Sequence, residues 1–198
     1  MKKIGVLALQ GAFSEHIAAL HQLGVMAFPL RLPGDMKGIV GLVIPGGEST
    51  AISRLMTEYQ LTGEIIKFVN RGLPVFGTCA GMIILAKKVS GLDGQPLGII
   101  DIDVQRNAFG RQVDSFEADI EVPVLGQTPF HAVFIRAPRI DRVGQNVDVL
   151  ASLPDGTAVA ARQGNIVVAA FHPELTTDLR FHEYFLNIVE GKAKEEMA

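Results

Sequence analysis

The sequence predicts an α/β fold of three layers, a mixed and mostly parallel sheet with helices on both faces, in one unit spanning residues 1–198. Three observations predict it. Through the first half, short apolar runs of strand length alternate with helical patterns, the order that builds a parallel sheet. In the second half Glu117–Val122 alternates polar and apolar, and Ala158–Gln163 and Ile166–Phe171 flank Gly164-Asn165, a hairpin signal that turns the sheet antiparallel toward one edge. Finally, 198 residues that are 48% hydrophobic and 20% charged suffice for one core and require no second domain.

Taken in order, Ile4–Leu9 reads as the first strand and Ser14–Leu23 as a helix, followed by strands at Met26–Leu30 and Gly41–Ile44. Ser49–Tyr59 and Gly63–Asn70 supply two further helices, with Ser49 or Thr50 as N-cap of the first. Pro74–Phe76 is the next buried strand. Beyond it Met82, Ile83, Leu85, Ala86 and Val89 recur at helical spacing and predict a helix that reaches Val89. A last helix, from about Asp178 to Val189, turns Phe181, Phe185 and Ile188 inward, and residues 191–198 are expected to fray. This succession corresponds to a flavodoxin-like arrangement.

Composition excludes several classes. One cysteine, Cys79, rules out an intrachain disulfide and leaves no cysteine cluster for zinc, so a reducing, cytoplasmic setting is expected, with neither metal nor cofactor. Lys2 and Lys3 precede an apolar run too short for a secretory leader. No apolar stretch reaches the roughly 18 residues of a membrane span. A formal charge of −3 and a pI near 5.9 argue against a nucleic-acid partner.

The chemistry concentrates at strand ends. In Leu73-Pro74-Val75-Phe76-Gly77-Thr78-Cys79-Ala80-Gly81 the cysteine stands between an apolar strand and an apolar helix. Gly77-x-Cys79-x-Gly81 is the cysteine form of the nucleophile elbow, in which small flanking residues relieve a strained turn and leave the nucleophile exposed. The positive end of the following helix favours the thiolate. Free cysteines often do no more than fill a core. Against that reading stands Phe171-His172-Pro173-Glu174, at the end of the apolar run Ile166–Ala170. Parallel strands present their ends on one sheet edge, so Cys79 and His172 can meet there, with Glu174 to orient the imidazole. His16, His21, His131 and His182 lack this setting, and solvated or packing roles are expected for them. Gly41-Leu42-Val43-Ile44-Pro45-Gly46-Gly47-Glu48-Ser49-Thr50 ends a strand in paired glycines, whose backbone N–H groups, with that of Ala80, are candidate oxyanion donors. An ordinary strand-to-helix turn explains the glycines equally well when they are taken alone.

Together these motifs resemble the triad-type (class I) glutamine amidotransferases, and within them the glutaminases that serve pyridoxal 5′-phosphate synthase. The narrower likeness rests on Leu9-Gln10-Gly11-Ala12, Pro45–Thr50, Gly77–Gly81, Arg106-Asn107-x-Phe109-Gly110-Arg111-Gln112, Val113-Asp114-Ser115-Phe116-Glu117, Phe134-Ile135-Arg136-Ala137-Pro138 and Phe171–Leu175. The resemblance implies hydrolysis of L-glutamine by Cys79, His172 and Glu174, with Gly46, Gly47 and Ala80 around the oxyanion. It further implies a substrate site at Gln10, Gly47, Glu48, Ser49, Arg106, Ile135 and Arg136, and delivery of ammonia to a synthase subunit with a dodecameric core. Gln10 is then expected to help order the oxyanion loop when the synthase docks. An α/β-hydrolase would place its acid before its histidine, the reverse of the order here. A cysteine-elbow peptidase or stress protein has no need of His-Pro-Glu together with the arginines, and a silent binding partner has no need of all three triad residues.

Overall fold

The computed structural model describes residues 2–91, 95–106 and 115–191. Its strands are β1 (Lys3–Leu7), β2 (Met26–Leu30), β3 (Gly41–Ile44), β4 (Val75–Thr78), β5 (Ala86–Ser90), β6 (Ile100–Gln105), β7 (Ser115–Ile120), β8 (Phe130–Ile135), β9 (Arg139–Val143), β10 (Asp148–Ser152), β11 (Ala158–Gln163) and β12 (Ile166–Ala169). Its helices are α1 (Phe13–Gln22), α2 (Ser49–Glu58), α3 (Leu61–Asn70), α4 (Ala80–Leu85) and α5 (Arg180–Glu190).

The main sheet runs β10-β11-β12-β4-β3-β1-β2. Its five strands from β12 to β2 are parallel, and β10 and β11 join antiparallel at one edge. The central strands β3, β4 and β12 are buried on both faces, which is why they read as continuous apolar runs without alternation. Alternate side chains of β4 reveal the layers. Phe76 stacks on Phe185 of α5 at 5.7 Å between ring centroids and meets the His16 ring of α1 edge-on. Gly77, one residue on, faces Leu85 of α4, and α4 packs on α2. Helices therefore cover both faces.

Two smaller sheets, β5-β6-β9 and the β7–β8 hairpin, lie outside this frame. They correct the expected helix through Val89. The helix stops at Leu85 because the carbonyls of Ile84, Leu85 and Ala86 accept the amides of Leu97, Ile99 and Gly98 at 2.8–3.0 Å, and Ala86–Ser90 leaves as β5. Ile83, Ile84, Leu85 and Ala86 are all buried, so apolar content at helical spacing carries no boundary signal. A smaller correction concerns Glu48, which caps α2 in place of Ser49 or Thr50; His131 lies inside β8. The predicted block at residues 107–114 and the tail at 192–198 fall outside the described residues.

The parallel register aligns the ends that matter. Ile44 pairs with Gly77, and Thr78 with Ala169. The chain just beyond β3, β4 and β12 therefore carries Gly46-Gly47, Cys79 and His172 to one edge of the sheet.

Candidate active site

Cys79 has φ 48° and ψ −101°, a conformation rare for a residue with a side chain. Its neighbours over-determine the turn. The Cys79 amide donates to Ala169 O at 2.8 Å and its carbonyl accepts from Ile83 N at 3.2 Å, so the strained residue is clamped between β12 and α4. The flanking glycines are required by space. A Cβ on Gly77 would lie 2.6 Å from Leu85 Cδ1 and 2.9 Å from the Gly81 carbonyl carbon; one on Gly81 would overlap the Ile44 carbonyl oxygen. The Gly-x-Cys-x-Gly pattern is thus the imprint of α4 packed directly on β3 and β4.

His172 follows β12, and its amide donates to Val133 O of β8 at 2.8 Å. Its Nδ1 is 2.7 Å from Glu174 Oε1, in a short turn where Pro173 separates the two. Cys79, His172 and Glu174 are each 7% exposed. Burial works against protonation of the His172 ring, yet its contacts with Cys79 and Glu174 outweigh it and raise the pKa to about 10. Burial likewise opposes ionisation of Glu174, but His16 and His172 hold that carboxyl below its ordinary range. The ring stands between the Glu174 carboxylate and the Cys79 sulfur, both of which favour its protonated form, the setting in which a cysteine acts as a nucleophile.

A cavity of about 380 Å³ opens over Cys79 and His172, walled by Gly47, Glu48, Ser49, Ile83, Arg106, Ile135 and Arg136. It unites six of the seven residues expected to bind substrate. Gln10, the seventh, stands behind the loop, where its Oε1 accepts the Glu48 amide at 2.6 Å. Arg106 does not present a free guanidinium: it bonds Glu48 Oε1 at 3.1 Å and Gly91 O at 3.0 Å. Glu48 in turn accepts the amides of Thr50 and Ala51, so the anionic and cationic walls brace one another. Arg136 adopts φ 44°, a second left-handed residue at the site. Ser49 Oγ is buried with no hydrogen-bond partner among the described residues.

The oxyanion loop differs from expectation at Gly46. Its N–H donates to Thr78 Oγ1 at 3.1 Å and its carbonyl accepts from Ala12 N at 3.1 Å, so its amide is not presented to the cavity. Ala80, by contrast, is the first residue of α4, where helical N–H groups have no partner within the helix. Gly46 has its own steric reason: a Cβ there would overlap the His172 ring.

Sequence reasoning missed the polar residues behind Glu174. His16, expected to pack or to be solvated, is fully buried, with Nε2 3.1 Å from Thr78 Oγ1 and Nδ1 2.9 Å from His182 Nε2. The available signal was its place on the apolar stripe of α1 with Ala19 and Leu20, at helical spacing. His21 bonds Ala27 O, and His131 sits at the surface between Asp119 and Glu117.

The chain resembles known proteins over nearly its whole length. A pyridoxal 5′-phosphate synthase subunit PdxT from Herpetosiphon aurantiacus is 57% identical over 188 residues, covering 93% of this chain and 99% of its own. A protein of the same name from Moorella thermoacetica is 55% identical over 187 residues, covering 94% and 99%. A crystal structure of a glutamine amidotransferase superposes with a TM-score of 0.89 at 50% identity, covering 94% of this chain and 98% of that one. The structure of PurLQS from Thermotoga maritima, at 14% identity and a TM-score of 0.71 over 94% and 97% of the two chains, shares the fold alone. Residues 6–191, which carry the elbow, the paired-glycine loop and the His-x-Glu turn, match the family model, and the chain belongs to the SNO glutamine amidotransferase family.

Proposed function

We propose that this chain hydrolyses L-glutamine to L-glutamate and ammonia, and passes the ammonia to a synthase subunit for pyridoxal 5′-phosphate synthesis. The observation that carries the chemistry is the His172 ring held 2.7 Å from Glu174, in contact with Cys79 and facing a cavity with acidic and basic walls. The names of the relatives support the pathway.

In this reading the Cys79 thiolate attacks the side-chain amide carbon of glutamine. The tetrahedral oxyanion is met by the amides of Gly47 and Ala80, a kind of contact worth on the order of a hundredfold to a thousandfold in rate. His172, protonated and steadied by Glu174, gives its proton to the leaving nitrogen as the C–N bond breaks. The same ring, now neutral, takes a proton from the water that cleaves the thioester and releases glutamate. Glu48, Ser49, Arg106, Ile135 and Arg136 receive the amino-acid end of the substrate, and Ser49 Oγ brings an unspent hydrogen bond.

Control by the partner has a local basis. Across a trans peptide the carbonyl points opposite to the N–H. With the Glu48 amide bound to Gln10 Oε1, the Gly47 carbonyl is turned the other way, and a flip of this one peptide exchanges that carbonyl for the Glu48 N–H, which joins the Gly47 and Ala80 amides at the oxyanion. Docking of the synthase selects the productive state, with Gln10 as the handle. The partner is a dodecameric core, and the pair works in the cytoplasm; among the described residues no helix is long and apolar enough to cross a membrane.

The test is glutamate release by the isolated chain at saturating glutamine, repeated with purified synthase subunit. Turnover that rises on adding the synthase is expected, together with loss of turnover when a glutamine-like electrophile labels Cys79. No glutamate release in either condition overturns the assignment.

A further inference from the structure

Glu174 has two carboxylate oxygens, and the triad uses one. Oε1 takes His172 Nδ1; Oε2 points away, fully buried, and makes no hydrogen bond of good geometry among the described residues. The group that faces it is His16 of α1, with Nε2 at 3.3 Å and no exposed surface. The tautomer of His16 follows from its surroundings. A bare Nε2 would set a lone pair against the lone pairs of a carboxylate, so Nε2 carries the proton. Burial keeps the ring neutral. Nδ1 is then an acceptor, and the hydrogen 2.9 Å away must belong to His182 Nε2. His182 is buried as well, and desolvation holds it neutral.

The His16 Nε2–H also lies 3.1 Å from Thr78 Oγ1, the oxygen that accepts the Gly46 amide. One imidazole therefore stands between the triad carboxylate and the oxyanion loop. The titratable groups around the cluster are Glu15 and His16 on α1, Cys79 after β4, His172 beside Glu174, and His182 on α5.

We infer that His16 is a positioning residue of the hydrolytic site, its Nε2–H hydrogen-bonded to Thr78 Oγ1 beneath the oxyanion loop and held 3.3 Å from Glu174 Oε2 as an electrostatic contact, with His182 fixing its tautomer. The inference rests on the Cys79-His172-Glu174 reading above. It places the control of the triad acid in α1 and α5, on the face of the sheet away from α4. Without the His16 donor the Glu174 carboxylate loses a stabilising contact and takes a proton at higher pH, so the acid limb of activity rises.

The experiment measures glutamine hydrolysis by the synthase complex from pH 5 to 10 for wild type, His16→Asn, His16→Gln and His182→Gln, with the melting temperature of each variant. His16→Asn, whose amide reaches only the Nδ1 side, is expected to lower kcat roughly tenfold or more with little change in KM, and to move the acid limb up by about one pH unit. His16→Gln, whose amide nitrogen reaches toward the Nε2 position, is expected to recover most of both. His182→Gln is expected to shift the limb less and in the same direction, and it carries the test if His16→Asn does not fold. An unmoved acid limb in the folded variants, or equal impairment of Asn and Gln with only a lower melting temperature, overturns the inference and leaves a packing role. Full activity in Cys79→Ala or His172→Asn would instead remove the triad reading beneath it.

Discussion

Substituting Gly81 by alanine tests whether the elbow is built by close packing. The added methyl has no open side: its carbon would overlap the Ile44 carbonyl oxygen and stand 3.3 Å from Ile44 Cβ, both on a central strand that cannot yield without disturbing β1 and β4. Overpacking of this kind costs about 1–3 kcal/mol, and the rigid neighbour puts the expectation at the upper end. For a chain of this size that corresponds to a fall in melting temperature of roughly 5–10 °C. Gly63 provides the control. It lies in α3 with open space where an alanine methyl would sit, nothing standing within 4 Å, so Gly63→Ala is expected to raise stability by up to about 1 kcal/mol, because alanine loses less backbone entropy in a helix. Differential scanning calorimetry on both variants, with glutamate release in the synthase complex, reads the contrast. Gly81→Ala should lose most of its activity as Cys79 and the Ala80 amide move; Gly63→Ala should lose none. A Gly81→Ala protein as stable and active as wild type would refute the packing account of the elbow.

Four further outcomes are expected. Cys79→Ala abolishes glutamine hydrolysis while circular dichroism and the melting temperature stay near wild type, since the change removes the nucleophile and little volume. His172→Asn is comparably inactive, whereas Glu174→Gln keeps some turnover because an orienting group is less essential than the base; a steady-state ammonia assay ranks the two. For pH and stability, His182 has a folded pKa depressed from 6.5 to about 3, so its contribution is present above pH 6.5 and is lost as pH falls below it, by about 1.4 kcal/mol per pH unit. His172, raised to about 10, behaves oppositely: its contribution is present below pH 6.5 and lost as pH climbs toward 10. Urea midpoints at pH 5, 7 and 9 measure both slopes, and an acid slope undiminished in His182→Gln would contradict the first. Gly47→Ala forces a methyl against Gln10 Oε1 and should abolish the gain in turnover on adding the synthase; an unaffected gain would sink the peptide-flip account.

How much of this is legible in the residues varies by element. The strands that form the site are plain: Gly41–Ile44 reads with the observed bounds, and the strands before Cys79 and His172 read within two residues at their ends. Central parallel strands are buried on both faces, and a short apolar run ending in glycine or proline carries that information locally. The helix after the elbow reads too long because its end is set by the amides of residues 97–99, distant in sequence and invisible to periodicity. Gly46 groups with Gly47 because both glycines look alike in a sequence, while Thr78 Oγ1 and Ala12 N distinguish them in space.

The sequence by itself located the residues proposed to carry the chemistry, because a cysteine elbow, a His-x-Glu turn and a paired-glycine loop are local patterns whose spacing is imposed by backbone geometry. It also determined the layer order, through the alternation of strand and helix. Only the tertiary structure decided which polar groups share the buried space behind the triad. His16, Thr78, Glu174 and His182 come from four separate segments, and what unites them is the parallel register that stacks strand ends and the packing of α1 and α5 over Phe76. A buried histidine reads as one more residue on an apolar stripe; its role depends on partners more than sixty residues away, and those are chosen by the fold.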